Sequence, residues 1–336
     1  MHPLHIPEFN CPLSVSLITC NRVDFHQHAS RSPKTLLKTA QGNIQMHKIS
    51  VALFVGISAL ACLAARADGR TETHRYYEVQ GVKLYTERFG HGPPILFLHG
   101  GLTFFDAAFR HQRDYFATYR TVIGLDQRGL GHSADSPEPL SYKQMADDTA
   151  AVIELLGLGP VDVVGHSDGG NVGLVLARDH PRLVRRLVIS GANLRPGLPP
   201  DELQRRSQWS SQQVAEKVRA LADSLPPQFR TEYDKVSPDG PVHWMTMVAN
   251  HYQLWLQPVV IDIADLKKIP IPVLVMAGDH DFTSIEETVE IFRGLQQGQL
   301  MILPATGHPT FSQRPDLVNL SIREFLDKPA TSRQIP

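Results

Sequence analysis

The chain has 336 residues, 42% of them apolar and 20% charged, with 33 basic against 34 acidic side chains. That balance offers no basic stripe for nucleic acid, and no repeat period or low-complexity run points to a fibrous or array architecture. A chain of this length can bury a large single core.

Residues 1–45 are expected to be an unstructured upstream extension, because a leader-like pattern begins at Met46. Lys48 supplies a short basic head, Ile49 to Leu63 an apolar run, and Ala65-Arg66-Ala67 a small-residue cleavage site. These are the three parts of a secretory signal peptide, assigned here to 46–67. The run falls short of the roughly 18 apolar residues that a membrane span needs. The expectation is therefore export, periplasmic or secreted, with no stable membrane insertion after cleavage. "ALAC", ending at Cys62, leaves lipoprotein anchoring open as the alternative. Cys11, Cys20 and Cys62 all precede Asp68, so a product cut after Ala67 can form no disulfide.

From Tyr76 the pattern changes to alternating strand and helix signals. "RYYEVQGVKLYTERFG" has period-2 alternation on both sides of Gly81 and predicts an antiparallel hairpin. The apolar runs of "PILFLHG", "TVIGLD", "VDVVG", "RLVIS" and "PVLVMAG" have no polar alternation, as expected of strands buried on both faces of a parallel sheet. Between them lie helical patterns such as "SYKQMADDTAAVIELLG", in which Ser141 can cap and Met145, Thr149, Val152, Ile153 and Leu156 recur at three- and four-residue steps. This alternation predicts an α/β fold: a mostly parallel central sheet with helices on both faces, built from 68–193 and 263–336. The interval 194–262 shows no strand and several proline-marked helical segments, and reads as an inserted helical cap.

Three short stretches carry chemistry. Gly165-His166-Ser167-Asp168-Gly169 is a G-x-S-x-G sequence after a strand and before a helix, the setting in which a strained turn projects a serine hydroxyl from the sheet's carboxyl edge. A serine needs a histidine base and a carboxylate to orient that base. "LVMAGDHDF" places Asp279 and Asp281 just past a strand, and "MILPATGHPTF" places His308 past the final one, so the chain order is Ser, Asp, His. The N–H of Asp168, at a helix start, is a candidate oxyanion donor. His99, His132 and His166 lie near turns without metal-site spacing, so no metal is expected.

With "LFLHGG", "DQRGLGHS", "GHSDGG", "AGDHD" and "GHP" in this order, nearly everything after Tyr76 resembles the α/β-hydrolase superfamily. The resemblance implies the α/β-hydrolase fold and a Ser167, Asp281, His308 triad, with Asp281 chosen by the family spacing G-x-x-D from Gly278 and Asp279 the alternate. It implies Gly101 as the second oxyanion donor, Leu102 being the alternate, and loop-bracing roles for Asp126 and Arg128. Serine at the elbow, where dehalogenases and epoxide hydrolases of this fold carry aspartate, implies acyl chemistry on a small-molecule ester without a cofactor. A cofactor-free haloperoxidase, a C-C hydrolase and a non-catalytic binding protein of the same fold remain the alternatives. Leu102, Asp168, Trp209, Trp244 and Trp255 are the candidate substrate contacts, the tryptophans as pocket lining or as cap packing. "GHSDGG" followed by "VISGAN" also resembles valacyclovir-hydrolase or biphenyl-hydrolase-like esterases, which act on amino-acid esters, although His166 replaces that subgroup's tryptophan. Asp168 would there bind a substrate ammonium; its other role is to favour the helix N-terminus.

Overall fold

The sheet explains where the chemistry sits. In a computed structural model describing residues 73–195, 204–206, 208–256 and 261–328, eight strands run in the order β1-β2-β4-β3-β5-β6-β7-β8. They are β1 (Thr73–Val79), β2 (Val82–Phe89), β3 (Pro94–Leu98), β4 (Thr121–Leu125), β5 (Val161–His166), β6 (Val184–Ser190), β7 (Val273–Gly278) and β8 (Gly298–Leu303). The upstream segment and the expected leader, 1–67, lie outside the described residues, as do parts of the cap interval. All the described elements fall in the unit Gly69–Pro336. No helix among the described residues is long and apolar enough to cross a membrane.

β1 and β2 form the antiparallel hairpin, joined by Gln80 at φ 48° and Gly81 at φ 77°. Two successive positive φ values make the tight turn whose twist matches that of paired strands. β2 is antiparallel to β4, and every remaining pairing is parallel. The helices are α1 (Phe105–Phe116), α2 (Tyr142–Leu155), α3 (Asp168–Asp179), α4 (Ser211–Ser224), α5 (Pro227–Val236), α6 (Trp244–Trp255), α7 (Ile263–Leu266), α8 (Ile285–Gly294), α9 (Thr310–Gln313) and α10 (Pro315–Asp327).

Strand periodicity splits the core into two layers. Leu96, Ile123, Val163 and Val275 face α2, α3 and α8, whereas Ile95, Phe97, Val122, Val164 and Met276 face α1 and α10. Burial of both faces is why these strands read as continuous apolar runs. Between β6 and β7 the described residues form helices without a strand, and α4, α5 and α6 enclose a third, smaller core of Val218, Tyr233, Trp244, Met247 and Val248. Leu102 and Leu130 belong to that cluster too, so the loops after β3 and β4 help support the cap.

The order of the sheet reverses at β3. The chain leaves β3 for β4 on one side and then returns to β5 on the other. In open α/β sheets the crevice beyond the carboxyl ends of two such strands is where ligands bind. Here those ends carry His99-Gly100-Gly101 and His166-Ser167.

Candidate active site

Ser167 occupies the N-cap position of α3, where serine ordinarily accepts a hydrogen bond from the first-turn amides. Among the described residues, three other serines do so. Ser141, Ser210 and Ser284 hold extended or near-extended backbone and accept from Gln144, Gln213 and Glu287 N–H, respectively. Ser167 instead sits at φ 55°, ψ −122°, and its side chain caps nothing. That conformation is sparsely populated for a residue with a Cβ and is held only where the surroundings impose it.

The surroundings are two glycines and a neighbouring strand end. A Cβ on Gly165 would lie 2.2 Å from the Gly169 carbonyl oxygen, and one on Gly169 would lie 2.0 Å from that of Leu98. Both obstacles are backbone, so neither position accepts a side chain. Ser167 N–H donates to Ser190 O at 2.8 Å, which ties the turn to the end of β6.

His308 lies on the loop after β8. Its Nδ1 is 2.8 Å from Asp281 Oδ1, and the same oxygen accepts Thr283 N–H at 3.1 Å. The Asp281 side chain is fully buried. Asp279, two residues earlier, points elsewhere: its Oδ1 accepts Thr306 N–H at 3.0 Å and its side chain is 34% exposed. Backbone amides of Thr306 and Ala305 hold the Asp279 carboxyl below the usual carboxylate range. It braces the histidine loop, and Gly278, where a Cβ would stand 2.0 Å from Thr306 O, lets that loop approach β7. Gly191, at φ 65°, makes similar room for the imidazole, since a Cβ there would meet His308 Cε1 at 2.7 Å.

His166 has a supporting role that the sequence did not signal. Its Nε2 lies 2.9 Å from the His308 carbonyl oxygen and donates to it, and the two rings are 4.8 Å apart. Burial and the neighbouring His308 push the His166 pKa down to about 3, so the ring stays neutral. Phe282, 68% exposed, also packs on His308, with ring centroids 3.9 Å apart. No hydrogen bond links Ser167 Oγ to the imidazole in this structure. In unliganded active sites that contact is commonly long or poorly aligned.

The oxyanion candidates converge on the same turn. Asp168 is the first residue of α3, so its N–H has no intrahelical acceptor. A Cβ on Gly100 would touch Ser167 Cβ at 3.0 Å, and one on Gly101 would meet Asp168 Oδ2 at 2.4 Å and Trp255 Cζ2 at 2.8 Å. Leu102 follows at φ 59°, with its side chain buried against the cap. Asp126 and Arg128 brace these loops. Asp126 accepts from Phe105 N–H and His132 N–H, each at 2.9 Å, and Arg128 grips Asp148 at 2.7 and 2.8 Å. His99 is buried, donates from Nδ1 to Gly100 O and accepts Gln127 N–H at Nε2, a structural pairing.

Among the expected substrate contacts, Asp168 is already committed to protein partners and Trp244 takes the cap-packing role. The Asp168 side chain is buried, at 4% exposure, and accepts from Tyr142 Oη at 2.7 Å and from Trp255 Nε1 at 2.9 Å. Both its oxygens are engaged by neutral donors, so it does not face substrate as a free carboxylate. Trp244 is a cap core residue, edge-on to Tyr233 at 5.5 Å, because helix periodicity turns it towards α5. Trp209 packs with Arg206 and Lys217, whose charged groups stand 5.1 and 5.8 Å from the ring centroid. Of the three tryptophans, Trp255 reaches the elbow, and Tyr142 and His251, near it, were not singled out by any motif. Beside the oxyanion loop a cavity of about 200 Å³ is lined by Leu102, Phe104, Leu130, Phe229 and Tyr233, among others.

Comparison with known proteins identifies the family. Residues 95–319 match the alpha/beta hydrolase family. The AB hydrolase superfamily protein YisY of Bacillus subtilis is 30% identical over 275 residues, which cover 76% of this chain and 97% of that protein. Pyrrolizixenacetamide deacetylase of Xenorhabdus hominickii is 27% identical over 256 residues, covering 70% and 92%. A thermophilic esterase from Thermogutta terrifontis, solved with malate bound, superimposes with a TM-score of 0.62 at 26% identity, covering 77% of this chain and all of that one. With a reversed-order parallel sheet, a serine elbow at its switch point and these relatives, the chain belongs to the alpha/beta hydrolase family and is a hydrolase.

Proposed function

We propose that this protein is a serine hydrolase that cleaves a carboxylic ester, or a related acyl bond of a small molecule, through an acyl-enzyme intermediate. The observation that carries the reading is Ser167: an N-cap serine held at positive φ with an uncommitted hydroxyl, on a sheet edge shared with the Asp281–His308 pair. In this scheme His308 Nε2 takes the Ser167 proton as Oγ attacks the carbonyl carbon. Asp281 holds Nδ1–H and stabilises the imidazolium. The N–H groups of Asp168 and Gly101 receive the oxyanion, helped by the positive end of α3. His308 then protonates the leaving alkoxide, and water, activated by the same imidazole, releases the acid.

Relatives described as an esterase and a deacetylase support acyl transfer. The cavity beside Leu102 and Phe229, lined mainly by apolar side chains with Gln228 and Glu232 among them, offers room for part of a substrate. The test is a fluorophosphonate titration alongside turnover of short p-nitrophenyl esters, amides and lactones. Stoichiometric labelling lost in Ser167→Ala, together with ester turnover, is the expected result. Labelling without turnover would favour a binding protein of this fold, and absence of both would refute the proposal. Export is part of the same proposal, motivated by 46–67: the native protein should begin near Asp68 by intact mass, and a cytosolic product retaining Ile49 to Leu63 would refute it.

A further inference from the structure

The cap touches the proposed oxyanion hole through one helix face. His251 and Trp255, four residues apart on α6, lie on the same side of that helix and both reach Gly101. A Cβ on Gly101 would stand 2.8 Å from Trp255 Cζ2 and 3.3 Å from His251 Cδ2. It would also stand 2.4 Å from Asp168 Oδ2, so cap, oxyanion loop and elbow meet at a single glycine.

A buried carboxylate joins the three. Trp255 Nε1–H donates to Asp168 Oδ2 at 2.9 Å and reaches Oδ1 at 3.2 Å, while Tyr142 Oη–H donates to Oδ1 at 2.7 Å. Burial and the adjacent Asp168 raise the Tyr142 pKa well above the usual phenol value, so the phenol keeps the proton it donates. Both hydrogen bonds end on one buried carboxyl group. The residue that receives them also supplies one of the two proposed oxyanion donors from its backbone.

We propose that the Asp168 carboxylate is a positioning residue that latches cap helix α6 onto the oxyanion hole. Trp255 holds the cap against Gly101, and Tyr142 fixes the rotation of the carboxylate. The directions of the Gly101 and Asp168 N–H groups therefore depend on a docked cap. This inference rests on the oxyanion roles proposed above.

Tyr142→Phe removes one donor and nearly preserves ring volume, Trp255→Phe removes the other donor together with part of the ring that packs on Gly101, and Asp168→Asn presents an amide N–H₂ to one of two donors. On a short p-nitrophenyl ester, Trp255→Phe and Asp168→Asn are expected to lower kcat by roughly 10- to 100-fold, short of the full loss of an oxyanion donor. KM should stay within about threefold, because the latch acts on groups used in the transition state. The double variant should be little worse than the poorer single one, since both changes break the same contact. Hydrogen exchange at the α6 amides, residues 244–255, should quicken in each variant, a readout that needs no activity. Unchanged exchange, or a raised KM with unchanged kcat, overturns the latch. Wild-type protein that neither labels nor turns over refutes the serine-hydrolase reading instead, while exchange still reports on the contact. Should Asp168→Asn fail to fold, the two phenylalanine variants carry the test.

Discussion

Replacing Ser167 by glycine or by alanine separates what the elbow costs in stability from what it supplies in chemistry. Ser167 holds φ 55°, ψ −122°. Backbone in such sparsely populated regions costs about 1–3 kcal/mol. Alanine keeps the Cβ and hence the strain, losing only Oγ, whereas glycine loses both. Against this relief stands the larger freedom of glycine in the unfolded chain, roughly 0.5–1 kcal/mol. Glycine at 167 should therefore be more stable than alanine by an amount between about 0 and 2.5 kcal/mol, centred near 1, or a few degrees in Tm at about 2–4 °C per kcal/mol for a domain of this size. Urea unfolding of the two variants measures the difference, read as a shift in midpoint at constant slope. Ser141, also an N-cap serine but at φ −144°, provides the control, because the same pair of substitutions there relieves no strain. Both variants at 167 should be inactive on esters. A glycine–alanine gap at 167 no larger than that at 141 would refute the claim that the elbow stores strain.

The identity of the acid is open to a paired test. Asp281→Asn should lower kcat by about four orders of magnitude, because the amide leaves the His308 ring in the wrong tautomer. Asp279→Asn should leave kcat nearly unchanged, since its amide oxygen can still accept Thr306 N–H; the opposite ranking would transfer the orienting role to Asp279. The pH dependence of stability follows from His166, whose folded pKa of about 3 lies below its unfolded value of 6.5. Its contribution is present in full above about pH 6.5 and is lost as pH falls towards 3, because only the unfolded chain binds the proton in that window. His166→Gln should therefore flatten the acid limb of a plot of unfolding free energy against pH, and an unaltered slope would exclude this assignment. Because neutral donors occupy both Asp168 oxygens, an α-amino ester and its deaminated analogue should show kcat/KM values within about threefold of each other. A preference for the amino ester that vanishes in Asp168→Asn would restore an ammonium-binding role.

Much of this molecule is written in local patterns. Apolar runs such as Ile95 to Leu98 mark strands covered on both faces, and the Gln80-Gly81 turn marks the hairpin, because each depends on the conformational preferences of adjacent residues. The G-x-S-x-G spacing carries its own steric logic, visible in the short distances that Cβ atoms on Gly165 and Gly169 would make. The order of Ser167, Asp281 and His308 along the chain also pointed to one sheet edge. Side-chain direction was another matter. Asp279 and Asp281 share a loop and a residue type, and only the packed loop turns one towards Thr306 and the other towards His308. Trp209, Trp244 and Trp255 all fall in the cap interval, yet only helix rotation and docking bring Trp255 to the elbow. The partners of Asp168 lie 26 and 87 residues away, at Tyr142 and Trp255. Contacts of that separation leave no short-range signal, because they exist only after the sheet, the cap and the loop after β3 have closed around one another.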